Sequence, residues 1–559
     1  MVEGEDLVFL PLGGIGEIGM NMSLYGYGVP GKRKWIMVDC GVGFPKEDFP
    51  GVDLVFPDIR FLLKERNNLM AIIITHAHED HYGALHDLWS FLNVPVYASP
   101  FAIGLLEAKG VYERVSKDIV CKNFHAGDKI DIGPFSIESL QVNHSIPESM
   151  ALVIRSPVGN IVHTGDWKLD ETSILGDVTD KDSLYAVGNE GVLALMCDST
   201  NAMCEGTSIT EEDVSQNLYN IVEKSEGCVA ITTFSSSISR ICSIIDISEK
   251  LGRKVLLLGS SVKRVVNVAV DIGLIGKDKS FVPVENFGSY PRNKLVIILT
   301  GSQGEPRSAL SQLSRNEMRN ISLGENDMVI FSSRSIPGNE TAIGEMKNKL
   351  VEQGVQVVTG DLENPVHVSG HPYRNDLKKM YEWIRPKIMV PIHGEPMHLV
   401  AQKKFALESG ISKVPNVRNG HMLRLFPDPV EIIDEVVHGQ LFKDGYLVGS
   451  FEDLGIAKRK KLSFVGQLSV NVVLDNNYNI IGLPDIVGIG LPSYCSNGVK
   501  INKLLSKTII ETVINLPQSR RKDLKLLRET ISRSLRSSIN HIWGKKPFVT
   551  TFINKSHRH

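Results

Sequence analysis

Apolar and polar positions alternate along this chain with a rhythm that changes twice. In the first stretch, short runs rich in Val, Ile, Leu and Phe end at glycine turns. They predict strands over residues 7–12, 34–38, 71–75, 135–142, 151–156, 160–163 and 192–197. Polar segments of helical length lie between them, so the expected arrangement is an α/β sandwich with helices covering the outer faces of two sheets. From about residue 208, single apolar strands (229–233, 254–258, 295–300, 328–331, 356–358) alternate with helices (211–223, 240–251, 262–272). That is the pattern of a doubly wound parallel sheet. Histidines return over 361–371, as if the first domain resumed after an insertion. After residue 451 come Lys458-Arg459-Lys460-Lys461, predicted strands over 467–474 and 478–483, and then helices. Leu524, Leu527, Ile531, Leu535 and Ile539 recur at three- and four-residue steps and predict an amphipathic helix over 523–539. The expected domains are 1–207 and 365–450 for a split first domain, 208–364 for the insertion, and 451–559 for a linker and a small C-terminal α+β domain.

Composition narrows the class without naming a chemistry. A chain of 559 residues is too long for one core, and 42% hydrophobic with 22% charged residues is the balance of a soluble globular protein. The longest apolar runs, such as 71–74 and 295–299, are strand-length; spanning a bilayer takes about 20 residues. The acidic start Met1-Val2-Glu3-Gly4-Glu5-Asp6 has neither the basic nor the long apolar region of a secretory signal. The 7 cysteines are scattered without C-x-x-C spacing, which argues against a disulfide framework or a cysteine zinc finger. The cytoplasm is the expected compartment. Net charge is −3, so any nucleic-acid surface must be local; the basic stretch from Arg520-Arg521-Lys522 to Lys545-Lys546 is either such a surface or a solvated helix face.

The chemistry lies in Thr75-His76-Ala77-His78-Glu79-Asp80-His81, directly after an apolar strand. Imidazole nitrogen and carboxylate oxygen are zinc ligands. Period-two alternation at a strand end would put His76 and His78 on one side, with Asp80 and His81 turned to a neighbouring position. His76, His78, Asp80 and His81 offer more donors than one catalytic zinc with an open position needs, which makes sense for two metals in one pocket. Asp39 either hydrogen-bonds one of these ligands or caps its own turn.

This motif resembles the signature of the metallo-β-lactamase superfamily. The resemblance implies further ligands at His144 (Val142-Asn143-His144-Ser145), Asp166 (His163-Thr164-Gly165-Asp166) and His393 (Pro391-Ile392-His393-Gly394-Glu395). It implies one metal on His76, His78 and His144, another on Asp80, His81 and His393, and Asp166 bridging them. Two zinc ions are the implied cofactors, with manganese as an alternative. Such a pair lowers the pKa of bound water and stabilises an in-line displacement at phosphorus.

The fold alone does not choose a substrate. Asp361-Leu362-Glu363-Asn364-Pro365-Val366-His367-Val368-Ser369-Gly370-His371, with its H-x-S-G-H, and the large insertion resemble the β-CASP group of nucleases. Gly13-Gly14-Ile15-Gly16-Glu17-Ile18-Gly19-Met20-Asn21, Gly301-Ser302-Gln303-Gly304-Glu305-Pro306, Ile336-Pro337-Gly338-Asn339-Glu340 and Trp543-Gly544-Lys545-Lys546-Pro547 are similar to motifs of the ribonuclease J family, over essentially the whole chain. The resemblance implies a 5′-to-3′ exoribonuclease with endonuclease capacity, preferring 5′-monophosphorylated RNA and acting in rRNA processing and mRNA decay.

His371 would then be a catalytic group beside Asp80 and Asp166, protonating the leaving oxygen or bonding the scissile phosphate. Val368, Ser369 and Gly370 would bind substrate, and His367 would either do so or tether the loop. Ser235, Ser236 and Ser237, between a strand and a helix, offer an anion site or a plain serine-rich cap; the family pattern ends in asparagine where Ser237 stands. Arg334 departs from the family pattern. A structural calcium at Gly51, Asp53 and Asp444 is also implied, as is a homodimer or homotetramer, within an RNA-degradation complex or alone. The rival readings are a β-CASP nuclease acting on DNA or structured RNA, a thioesterase or lactonase, and a binding-only subunit.

Overall fold

The computed structural model describes residues 4–45, 49–113, 118–172, 175–176, 178–336, 338–360 and 364–556. Pro337 and Asp361-Leu362-Glu363 of the motifs above lie outside the described residues, as do Met1-Val2-Glu3. The chain forms two compact units, Met1–Phe44 with Val55–Gln440, and Pro45–Leu54 with Leu441–His559.

In the larger unit an eight-stranded sheet carries His421–Phe426, Asp6–Gly13, Met22–Gly28, Lys34–Val38 and Leu69–Ile73 side by side. A six-stranded sheet runs Ile388–Ile392, Val192–Asp198, Gly159–His163, Met150–Ser156, Phe135–Gln141 and Lys129–Ile132. Alternation along each strand aims one set of side chains between the sheets. Leu7, Phe9, Ile36, Val38, Ala71 and Ile73 meet Ile137, Leu152, Ile154, Ala194, Met196 and Val390 in one core. The opposite face of the second sheet (Val153, Val162, Leu195, Met389) is covered by the helices Lys181–Glu190, Arg374–Ile384 and Pro396–Glu408. This is the expected sandwich of helices on two sheets. The strand Met22–Gly28 was not evident from its sequence, where glycines and tyrosines blur the alternation.

The insertion is a five-stranded parallel sheet in the order Lys254–Leu258, Leu295–Leu299, Val229–Thr232, Met328–Phe331, Gln356–Thr359. Four of these strands are almost wholly apolar and buried, as crossover helices on both faces require.

The smaller unit takes in residues 45–54, because Phe49 packs edge-on against Phe442 and Phe451 at 5.3 and 5.8 Å. Its sheet holds Asp485–Ile489, Gln467–Leu474 and Phe548–Lys555. The second strand thus lies C-terminal to the expected 478–483. Asp475 instead turns the chain there, accepting from Asn479 N at 2.7 Å, with Tyr478 at φ +65°. Asp523 caps the helix Leu524–Trp543, and Leu527, Ile531, Leu535 and Ile539 are buried as the periodicity demands.

Candidate metal centre

The strand Leu69–Ile73 ends before the first histidine, and a short loop and one turn of helix, Glu79–Tyr82, follow. His76 and His78 therefore converge through loop geometry, not strand alternation. His76 Nε2 lies 3.1 Å from His78 Nδ1, and His78 Nδ1 lies 3.0 Å from His144 Nε2. Asp166 Oδ2 is 3.9 Å from His76 Nε2, 3.8 Å from His144 Nε2 and 3.2 Å from His81 Nε2. On the other side His393 Nε2 lies 3.2 Å from Asp80 Oδ2, and His81 Nε2 3.6 Å from it. The side chains form two groups, His76-His78-His144-Asp166 and Asp80-His81-Asp166-His393, sharing one aspartate, and a third, Asp166-Asp198-His371-His393, overlaps them. Donors about 2.1 Å from a tetrahedral zinc stand roughly 3.4 Å apart, and the separations here, from 3.0 to 3.9 Å, bracket that spacing.

The outer nitrogens of four of the imidazoles have partners. His81 Nδ1 donates to Asp39 Oδ2 at 2.7 Å, and His144 Nδ1 to Gly370 O at 2.7 Å. His76 Nδ1 and His393 Nδ1 meet the hydroxyls of Thr75 and Thr200 at 3.0 and 2.9 Å. Such contacts fix ring tautomer and orientation in metal sites. Asp39, at φ +65°, also accepts from Thr75 N at 2.8 Å, so it both holds a turn and orients His81. The glycine-rich segment after the first strand holds both the last histidine and the first motif: His393 N donates to Gly14 O at 2.7 Å, and Asn21 Nδ2 donates to Asp80 O at 3.0 Å.

Burial pushes the pKa of His78 down to about 4 and those of His76 and His144 down as well. These rings are therefore neutral, the form that ligates. Burial opposes ionisation of Asp80 and Asp166, but the neighbouring histidines outweigh it and hold both well below the usual carboxylate range. Burial alone would lower His393, yet Asp166 and other carboxylates raise it to about 10, and His81 is raised in the same way. Two anionic carboxylates balanced by two protonated imidazoles are a donor set suited to divalent cations, which would displace those protons.

His371 stands beside the pair. Its Nδ1 donates to Asp198 Oδ2 at 2.7 Å and lies 3.8 Å from Asp166 Oδ2. Burial lowers its pKa, but Asp198 and Asp166 more than compensate and raise it above the ordinary value. Asp198, Thr200 and Asn201 escaped the sequence reading. Their signal was a carboxylate at the end of the strand Val192–Asp198, without a neighbouring histidine to draw attention to it. Asn201 Nδ2 donates to Ser369 Oγ at 2.8 Å and to His371 O at 3.2 Å. Gly370 has no room for a side chain: a Cβ there would come within 2.6 Å of His144 Cε1.

The other end of this loop belongs to the inserted sheet. Val366 O accepts from Arg240 Nη1 at 2.9 Å and Ser332 Oγ at 2.7 Å. His367 bonds the Ser332 backbone, and burial with Arg240 and Arg334 nearby lowers its pKa to about 3; it is not part of either metal group. Val368 is buried. Ser235-Ser236-Ser237 form the turn before the helix Ile238–Lys250, and the Ser237 side chain makes no capping bond, so its hydroxyl is not spent on the helix.

The oxygen cluster at Gly51, Asp53 and Asp444 does not fit a calcium ion. Arg459 Nη2 donates to the Asp444 carboxylate, Nη1 lies 3.5 Å from Gly51 O, and Asp53 Oδ2 accepts from Gly445 N at 2.8 Å. A Cβ at Gly51 would sit 2.6 Å from that guanidinium. The positive charge in this cluster comes from the chain itself.

Comparison with known proteins agrees with this architecture along its length. Residues 34–186 match the beta-lactamase superfamily domain, 226–350 the ribonuclease J beta-CASP domain, 354–414 the Zn-dependent metallo-hydrolase RNA specificity domain, and 454–556 the ribonuclease J C-terminal domain. A protein of unknown function from Enterococcus faecalis superposes with a TM-score of 0.53 at 16% identity, covering 75% of this chain and 100% of its own, a likeness of fold alone. Ribonuclease J of Corynebacterium glutamicum is 33% identical over 96% of this chain and 74% of its own. Ribonuclease J of Sinorhizobium meliloti is 56% identical over 99% of this chain and 98% of its own. With that degree of identity end to end, the chain belongs to the ribonuclease J family, whose nucleases are zinc-dependent metallo-hydrolases.

Proposed function

We propose that this protein is a two-metal ribonuclease that degrades RNA from the 5′ end, prefers a 5′-monophosphate, and also cuts internally, in RNA maturation and decay. The observation that carries the reading is the sharing of Asp166 between two histidine groups, with His371 beside it. When bound, two divalent cations, zinc or manganese, would supply hydroxide at neutral pH and offset charge on the phosphoryl oxygens. His76, His78 and His144 would hold one, Asp80, His81 and His393 the other, and Asp166 both.

His371 does the proton work. Asp198 occupies Nδ1 and favours the protonated ring, so Nε2 is the nitrogen that can donate to the leaving 3′ oxygen. Ser369, Gly370 and His371 supply polar groups along the loop, and Ser235, Ser236 and Ser237 a further anion site at a helix start. Holding the 5′ end there would orient the next phosphodiester against the metals. RNA is favoured over DNA by the match to an RNA specificity domain. Self-association into a dimer or tetramer would use the smaller unit, where Leu483, Val487 and Ile489 are exposed. No described helix is long and apolar enough to cross a membrane, and the cytoplasm is the proposed compartment.

The test is one preparation with metal analysis and time courses on 5′- and 3′-labelled RNA carrying a 5′-monophosphate or 5′-triphosphate. Two metals per chain and much faster loss of the monophosphate substrate are expected. Equal exonucleolytic rates on the two ends would remove the end preference, and faster cleavage of DNA would favour the rival nuclease reading.

A further inference from the structure

The inserted sheet carries a charge at its carboxyl edge that neither the metal centre nor the fold consumes. The strand Met328–Phe331 pairs in parallel with Val229–Thr232, the strand that runs into Ser235-Ser236-Ser237. The turns leaving these two strands are therefore neighbours at one end of the sheet, where open parallel sheets bind their ligands. The turn after Phe331 is held firmly by its backbone. Gln303 Nε2 donates to Arg334 O at 3.0 Å, and Gln303 Oε1 accepts from Ile336 N at 2.8 Å. Ser332 Oγ ties the same turn to Val366 O, the start of the loop that ends at His371.

The Arg334 side chain is a different matter. It is exposed, and among the described residues no carboxylate, carbonyl or hydroxyl engages its guanidinium. Its charge nonetheless bears on His367, Tyr373 and His398, which flank the histidines of the metal-side loops. Other arginines of this unit (Arg33, Arg240, Arg253, Arg292) are fully engaged with carboxylates or carbonyls. A guanidinium on a fixed turn, without a counter-ion and close to a loop that handles phosphate, suits a phosphate oxygen pair through its planar fork.

We propose that Arg334 binds a backbone phosphate of the RNA strand entering the metal centre. The inference rests on the reading of the protein as a ribonuclease. Contact with a phosphate that is not itself cleaved holds substrate and transition state alike, so its loss raises KM and leaves kcat.

The metal-loaded wild type, R334A, R334Q and R334K are compared on single-stranded RNA bearing a 5′-monophosphate or a 5′-hydroxyl, over a range of salt. For R334A and R334Q, KM should rise about fivefold or more at low salt with kcat within about twofold, and the dependence of log KM on log salt should flatten by about 0.7. Melting temperature should not change, and R334K should recover only part of the loss, because an ammonium cannot grip two oxygens. A KM effect that persists on 5′-hydroxyl RNA supports contact with a backbone phosphate; one that vanishes there places the contact on the terminal phosphate and overturns the proposal. Unchanged KM and salt slope, or a loss confined to kcat, overturns the proposal. Failure of the wild type to cleave RNA would instead overturn the ribonuclease reading.

Discussion

Replacing Arg240 by Ala removes a guanidinium that is 1% exposed and joins the inserted sheet to the loop beside the metal centre. Its Nε and Nη2 donate to Glu211 Oε2 at 3.1 and 2.7 Å, and its Nη1 to Val366 O at 2.9 Å and to Ser332 Oγ. Glu211 would keep only Lys168 Nζ at 3.8 Å, and that ammonium is already paired with Asp170 at 2.9 Å. Stripping a buried carboxylate of its main partner costs about 3–5 kcal/mol, several times the net worth of one neutral hydrogen bond at about 1 kcal/mol. A fall in melting temperature of roughly 5–15 °C is expected. Removing both charges with R240M and E211L should bring stability back to within about 2 kcal/mol of wild type, because no unpaired charge is then buried. Thermal melts of wild type, both single variants and the double variant form the cycle. The reasoning fails if R240A costs less than about 1 kcal/mol, or if the double variant is no more stable than R240M. Because Val366 O also loses one of its two donors and keeps only Ser332 Oγ, R240A should weaken RNA cleavage at temperatures where it remains folded.

Other outcomes follow from single contacts. D198N should keep its metal content by elemental analysis but lose about 10²-fold or more in kcat, since His371 loses the carboxylate that orients and protonates it. G370A should push His144 aside and weaken metal affinity by about 10- to 100-fold, measured by competition with a chelator; wild-type affinity in G370A would show that the loop gives way instead. In wild type, calcium should leave the melting temperature unchanged, whereas R459A should melt at a lower temperature because the Asp444 carboxylate loses its cation. A calcium-dependent rise in wild-type melting temperature would contradict the placement of Arg459.

Local periodicity was enough to read most strands and helices of both sheets and the insertion, because burying one face or both imposes a period that survives in a single sequence. The cluster His76-Ala77-His78-Glu79-Asp80-His81 was legible for a similar reason: its donors are adjacent in the chain. Asp166 and His393 were found through their motifs and family resemblance, but what brings them together is pairing between distant strands. Gly159–His163 and Ile388–Ile392 lie on either side of Val192–Asp198, in register His163 with Met196 and Asp198 with Ile392. That register sets Asp198 between the two ligands and against His371, and nothing in its neighbours along the sequence marks it. The same holds for Arg459, which reads as one residue of a basic run until the fold brings Gly51 and Asp444 around it. Sequence spacing determined the elements and the nearest ligands; the partners of each charge were decided by which strand ends and turns the tertiary structure placed side by side.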